Sequence, residues 1–234
     1  MANFGEIQKD MLLLVTDTSG KHGCVALARA SDGGPSIDLI EEVPLAGGTF
    51  SAQLIPQIAA LLAKRQLSKA DIDAFIVVSG PGSFTGLRVG LAAIKALAEI
   101  LHKPIVPVSL LEVVAVASGA QGKVLAVLDA GRGELYAGEY DVLDDSARLV
   151  REQVLTGEQF RSTSNGMVAA TPDETLAGLL PGRAVRVSPP NAQMIAQLGW
   201  RKLQAGETVT PEQLEANYIR RSDAEIFSKP ASGS

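Results

Sequence analysis

The sequence predicts an α/β fold in which one strand-hairpin unit is used twice. Three observations point there. The chain is 46% hydrophobic but only 4% aromatic, so its core is Ala, Val, Leu and Ile, a composition that suits helices laid on sheets. Between residues 74 and 108 an apolar run, a glycine-rich loop, a long apolar helix and a second apolar run follow in turn. That is the order of a strand–helix–strand crossover with parallel strands. Lastly, KVLAVLD-AGRG-ELYAGEYDV (123–142) repeats the plan of MLLLVTD-TSGKHG-CVALARA (11–30). Each has an apolar run, a terminal Asp, small residues, a basic residue, Gly and a second strand.

The elements follow in order. Met11–Asp17 reads as a buried strand and Cys24–Ala30 as its antiparallel mate across the TSGKHG turn. Ile37–Val43 supplies a third strand. Thr49 and Ser51 are N-cap candidates for a helix carrying Leu54, Ile55, Ile58, Leu61 and Leu62 at helical spacing. Pro56, near its first turns, is expected to distort that helix or delay its start. Ser68-Lys69-Ala70-Asp71 caps one short turn. Strand Ala74–Val78, a helix over Thr85–His102 and strand Ile105–Val108 complete the first half. After the second hairpin the signals thin: Gly166–Thr171 and Ala184–Val187 are short-strand candidates. Pro172–Leu180 and Pro189–Gln204 look helical, each opening with Pro near the first helical position. The expected division is an extension at 1–10, a first subdomain at 11–110, a second at 111–225 and a tail at 226–234.

Composition narrows function. A net charge of −5 and a pI near 5.1 argue against a free-standing nucleic-acid binder. The single cysteine, Cys24, excludes an internal disulfide and a cysteine-based zinc site. No apolar run reaches the length of a membrane span, and the first ten residues lack a signal-peptide core, so the expected location is cytoplasmic. The two histidines, His22 and His102, form no metal motif; His22 reads as a turn residue and His102 as a cation at a helix C-terminus. No catalytic constellation and no metal site are expected.

The most specific stretch is SGPGSFTGLRVG (79–90). A glycine loop opening a helix is a natural anion site, yet Gly80, Gly82 and Gly86 are spaced one residue too long for the dinucleotide pattern, and no P-loop Lys-Ser/Thr pair is present. The other reading is a tight turn. In the helix that follows, the apolar arc covers roughly 220° at 100° per residue, where one sheet needs only about 100° or somewhat more. One flank is Leu87, Leu91, Ile94, Ala98 and Leu101; the other is Val89, Ala93, Ala96 and Ile100. Either the chain's own first helix covers the second flank or another polypeptide does. Gly86 and Gly90, four apart, let a backbone approach closely. Asp17 and Asp129 close the first strand of each half; they are turn caps or, facing a cleft, holders of a metal–nucleotide complex.

The motifs VTDTSGKHGCVAL (15–27), SGPGSFTGLRVGLA (79–92), IVPVSLLEVVA (105–115), VLDAGRGELYAGEYD (127–141) and YIRRSDAE (218–225) resemble the bacterial TsaB (YeaZ) family. The resemblance runs from residue 11 to about 225, and SGPGSFTGLRVG is its most specific block. It implies the duplicated ribonuclease-H-like, actin-like (ASKHA) fold with a reduced second half. It also implies a non-catalytic role in making tRNA threonylcarbamoyladenosine next to the anticodon. The metal-bearing relative TsaD carries H-x-x-x-H where this chain has Leu110 and Val114, neither of which coordinates a metal. The implied partners are TsaD, through the first two helices, and the ATPase TsaE, with a homodimer when the chain is alone and tRNA contacted only indirectly. On that basis the expected partner surface is Leu54, Ile58, Leu61, Leu87, Val89, Ala92, Ala93, Lys95, Ala96 and Glu99. Asp17, Thr18, Ser19, Gly82, Ser83 and Asp129 are expected to be vestigial phosphate-loop positions, with no tightly bound cofactor and nucleotide only at a shared interface. Many relatives carry His near the start of the first helix, where this chain has Phe50. The alternative reading is an ATP-dependent enzyme of the actin/sugar-kinase class using Asp17 and Asp129.

Overall fold

The computed structural model describes residues 10–31, 34, 36–179 and 184–219. The N-terminal extension up to residue 9, the tail at 226–234 and the arginines of YIRR lie outside the described residues. Among the described residues two compact units are present, drawn from 1–79, 85–110 and 190–216 and from 80–84, 111–189 and 217–234.

The first unit holds β1 (Asp10–Asp17), β2 (His22–Ser31), β3 (Ile37–Ala46), α1 (Phe50–Lys64), β4 (Ala74–Gly80), α2 (Phe84–Leu101) and β5 (Ile105–Ser109). Its sheet runs β3-β2-β1-β4-β5, with β1 antiparallel to β2 and parallel to β4. Then come α3 (Leu110–Ala117), β6 (Gly122–Gly131), β7 (Glu134–Leu143), β8 (Ser146–Thr156), α4 (Gly157–Thr163), β9 (Val168–Thr171), α5 (Glu174–Gly178), β10 (Ala184–Arg186) and α6 (Ala192–Gln204). The second sheet, read from its other edge, is β8-β7-β6-β9-β10. Strand for strand this is the first order again, with β6 antiparallel to β7 and parallel to β9. The hairpin repeat is therefore part of a full duplication, two mixed sheets flanked by helices on the ribonuclease-H-like plan. The second copy is reduced: α4 and α5 have 7 and 5 residues against 15 and 18 in α1 and α2.

The last helix, α6, departs from the expected boundary. Residues 190–216 belong to the first unit, which corrects the 111–225 subdomain. The reason is α6: its face of Ala192, Ile195, Ala196, Gly199 and Trp200 is buried, and Trp200 Nε1 donates to the Gly34 carbonyl at 2.8 Å. Helix α3 lies where 111–225 placed it: Leu111, Val114 and Ala115 pack with Val124, Ala126 and Tyr140 in a core of the second unit.

The remaining differences have local causes. Pro56 neither ends nor delays α1, which runs through it from Phe50. Pro56 is exposed, and so is Ala52, whose carbonyl would have accepted the missing N–H. Thr49 takes the N-cap position while Ser51 lies inside the helix; the Thr49 hydroxyl donates to the Ala46 carbonyl instead of capping. Pro172 and Pro189 precede caps formed by Asp173 and Asn191, whose side chains accept from Thr175, Leu176 and Met194 amides. β8 and α4 have no counterpart in the sequence reading. β8 is a mostly exposed edge strand held by its ladder to β7 and by Arg148–Asp141 and Arg151–Glu139 ion pairs, so it carries no apolar alternation. α4 opens on a capping box of Thr156 and Gln159.

Candidate functional site

Helix α2 is buried along Gly86, Leu87, Gly90, Leu91, Ile94 and Ala98. Leu91, Ile94 and Ala98, with Leu54, Ile58, Leu61 and Leu62 of α1 and Leu14, Phe75 and Val77 of the sheet, belong to the first unit's core. The opposite arc of α2 is uncovered. Ala92 and Ala96 are exposed, Val89 and Ala93 half-buried, and Ile100 is 66% exposed; Arg88 and Glu99 border the arc. On α1 a matching stripe of Ala52, Ile55, Ala59 and Ala63 is exposed, with Ile55 at 48%. Two helices thus carry small and branched apolar side chains on outward faces at helical spacing.

Four of the ten expected surface residues are corrected by this geometry. Leu54, Ile58, Leu61 and Leu87 are between 1% and 5% exposed; they are buried within their own chain and are not available to a partner. Val89, Ala92, Ala93, Lys95, Ala96 and Glu99 lie on the uncovered arc or its edge. Lys95 is half-buried, and its charge, after the Thr210 hydroxyl, helps hold the Glu212 carboxyl below its ordinary value. Ile55, Ala59 and Ala63 were absent from the expected surface. Their spacing of four was legible, but apolarity alone does not say which of two stripes faces the sheet.

The glycines of SGPGSFTGLRVG answer to close approach. A methyl built on Gly86 would fall 2.1 Å from the Thr18 carbonyl oxygen, and one on Gly90 would fall 2.2 Å from Thr18 Oγ1. Gly80, at φ +142°, faces the Asn217 carbonyl, where a methyl would sit at 2.7 Å. Phe84 stacks on Tyr218 with ring centroids 4.8 Å apart. Gly82 is half-buried and Ser83 exposed.

Asp17 and Asp129 are each engaged by their own turn. Asp17 Oδ1 accepts from the Ser19 amide at 2.8 Å and the Ser19 hydroxyl at 2.6 Å; Asp129 Oδ1 accepts from the Gly131 amide at 2.8 Å. This is the turn-cap role, repeated in both halves. Burial pushes the Asp17 carboxyl above its ordinary range, and the Ser19 hydroxyl and amide pull it partway back. Thr18 and Ser19 are buried. Burial likewise pushes the Cys24 thiol up, which makes it a poor nucleophile. Val114 is fully buried and Leu110 half-buried. Among the described residues no three His, Cys, Asp or Glu side chains are grouped to hold a metal, and no helix is long and apolar enough to cross a membrane.

The family profile described as TsaD: tRNA N6-adenosine threonylcarbamoyltransferase matches residues 44–176. An uncharacterized protein of Mycobacterium tuberculosis is 31% identical over 91% of this chain and 93% of its own length. The Escherichia coli tRNA threonylcarbamoyladenosine biosynthesis protein TsaB is 29% identical over 74% of this chain and 81% of that protein. The solved structure of YeaZ from Pseudomonas aeruginosa superposes with a TM-score of 0.70 at 26% identity, covering 89% of this chain and 99% of that one. The chain belongs to the TsaD family and, within it, to the TsaB/YeaZ group.

Proposed function

We propose that the chain is a non-catalytic subunit that binds and activates a metal-bearing, TsaD-type transferase through the exposed faces of α1 and α2. Its place in tRNA threonylcarbamoyladenosine biosynthesis is the role its named relatives support. The observation that carries the finer reading is the uncovered arc of α2. A helix whose opposite side already fills the core presents Ala92, Ala96 and Ile100 outward, and apolar surface of that kind is a cost unless another chain buries it. Small residues let a second helix come close, and the Arg88 and Glu99 borders give the polar rim that such contacts carry.

Two features support the non-catalytic part. The resemblance places the TsaD histidines where this chain has Leu110 and Val114, which coordinate no metal, and the Asp17 and Asp129 carboxylates are hydrogen-bonded within their own turns. On this reading the same face pairs two copies when the transferase is absent, a TsaE-type ATPase joins as third partner, nucleotide lodges only at a shared interface and tRNA is contacted through the partner. The test is reconstitution: transferase, ATPase, threonylcarbamoyl-adenylate and tRNA, with and without this chain. Modified tRNA should form only when chain and transferase are both present. Turnover by the chain alone would overturn the proposal.

A further inference from the structure

At the tip of the first hairpin the Thr18 side chain enters a notch on α2. Its hydroxyl donates to the Gly86 carbonyl at 2.8 Å. One turn further along, Gly90 has no room for a methyl because Thr18 Oγ1, Cβ and Cγ2 occupy the space, at 2.2, 3.3 and 3.3 Å from where that methyl would be. Thr18 is only 2% exposed. The first residue of α1 closes on the same place: the Phe50 ring lies 3.3 Å from a methyl built on Gly86 and 2.8 Å from one built on Gly23. A single turn residue therefore touches the buried side of α2 at two successive turns, and the start of α1 is packed on the same turn.

The outward arc of α2 begins on the far side of this notch. Seen along the helix, Gly86 and Gly90 lie on the buried arc, while Val89, Ala92, Ala93 and Ala96 lie opposite or beside them. Rotation or lift of the first turns of α2 would carry those residues with it. The turn has both hydroxyls directed inward, Ser19 to Asp17 and Thr18 to α2.

We infer that Thr18 is a positioning residue: by bonding Gly86 and filling the Gly86–Gly90 notch it fixes the attitude of α2 that the partner-binding face requires. This rests on the proposed function, since it concerns the same face. Packed interfaces are sensitive to ångström-scale misplacement, so the effect belongs to partner affinity more than to folding.

The experiment titrates the full chain against its TsaD-type partner by calorimetry, with thermal melts of each variant. Thr18→Val, which keeps the shape and removes the donor, should weaken binding about ten-fold. Thr18→Ser, which keeps the donor, should restore most of that loss. Gly90→Ala should weaken binding because its methyl meets Thr18, and Thr18→Ala combined with Gly90→Ala should recover affinity relative to Gly90→Ala alone. The double variant decides the matter even if Gly90→Ala alone folds poorly, because it removes the collision. Wild-type affinity for Thr18→Val, or no recovery in the double variant, would overturn the inference. Ala96→Arg in the same series separates the two failures. If it binds normally, the face itself is misassigned; if it fails to bind while Thr18→Val binds normally, only the role of Thr18 falls.

Discussion

Ile40 and Val150 are each the extra residue of a bulge in an edge strand, one in each half of the chain. In the first sheet Leu27 pairs with Glu41 and Ala28 with Leu39, leaving Ile40 as the extra residue of a bulge. In the second, Glu139 pairs with Arg151 and Tyr140 with Leu149, leaving Val150. Bulges bend and twist an edge strand, and each edge strand carries one, at registers that differ by one residue. What differs is the cover. In the first half α1 extends to this point, and its Lys64 and Arg65 pair with Glu41 while Arg65 also donates to the Ile40 carbonyl. In the second half α4 stops after 7 residues. Arg151 stands where Glu41 stood and pairs within the sheet with Glu139. The fold plan is shared, and the helices that carry the outward face belong to the first copy alone.

That face gives the first expectation. Ala96→Arg places a charge on an exposed position of α2, so stability should change by no more than about 0.5 kcal/mol. Association with the transferase should fall by about 3 kcal/mol, roughly 150-fold, because the guanidinium would be buried unpaired in the contact. Co-purification and calorimetry read the second quantity and a denaturant melt the first. Normal pairing would show that α2 does not face the partner.

A second expectation concerns an orphaned group. Thr16 is fully buried in β1, beside Val25 and Val77, and its hydroxyl has no hydrogen-bond partner among the described residues. Replacing it with the isosteric valine removes a desolvated polar atom that costs about 1–3 kcal/mol when unsatisfied. Thr16→Val should therefore be more stable, raising the melting temperature about 2–4 °C for each kcal/mol gained. A lower melting temperature would mean that the hydroxyl is satisfied in solution, a buried water being the natural partner.

Asp17 yields a pH signature. Burial raises its folded-state pKa above the ordinary value of 3.8, so the folded state holds the proton more tightly than the unfolded state does. Its ionised form thus penalises folding above the raised value, and the penalty is relieved as pH falls through that value toward 3.8. Asparagine keeps an acceptor for the Ser19 amide and hydroxyl without the charge. Asp17→Asn should be more stable than the parent near neutral pH, and the gap should close as pH is lowered. Urea melts across that range measure it; a gap that widens toward low pH would contradict the assignment.

How much of this was legible in the sequence depends on what each residue packs against. The runs at 11–17, 24–30 and 123–129 are apolar because their strands are covered on both faces, and they were readable for that reason. The edge strand β8 was not, since Arg148, Leu149, Val150 and Arg151 are all exposed, the two arginines pairing with Asp141 and Glu139 of β7, and obey no alternation. On α2 both flanks were visible as apolar. Only the packed fold shows that Leu87, Leu91 and Ile94 turn inward and Ala92, Ala96 and Ile100 outward. The Gly86–Gly90 spacing announced a close approach, but the approaching residue, Thr18, lies 68 positions from Gly86, beyond any local pattern. The same limit placed residues 190–216 in the wrong half, because helical periodicity does not name the sheet a helix will cover.

That reassignment carries the last expectation. Gly199 sits on the buried face of α6, and a methyl there would fall 2.5–2.8 Å from Ile76 Cγ2, Cδ1 and Cγ1 on β4. By helix propensity alone Gly199→Ala should stabilise by about 1 kcal/mol. The Ile76 atoms nearest the methyl include both γ carbons, which are tied to the strand, and Ile76 is fully buried with nowhere to retreat. Overpacking of this kind costs about 1–3 kcal/mol, so the net effect should be a loss. The paired change Gly199→Ala with Ile76→Val, which removes the outermost carbon, should recover part of it through a non-additive coupling. Denaturant melts of the two single variants and the double measure that coupling. Strict additivity, or a stabilised Gly199→Ala, would mean that α6 does not pack on the first sheet in solution.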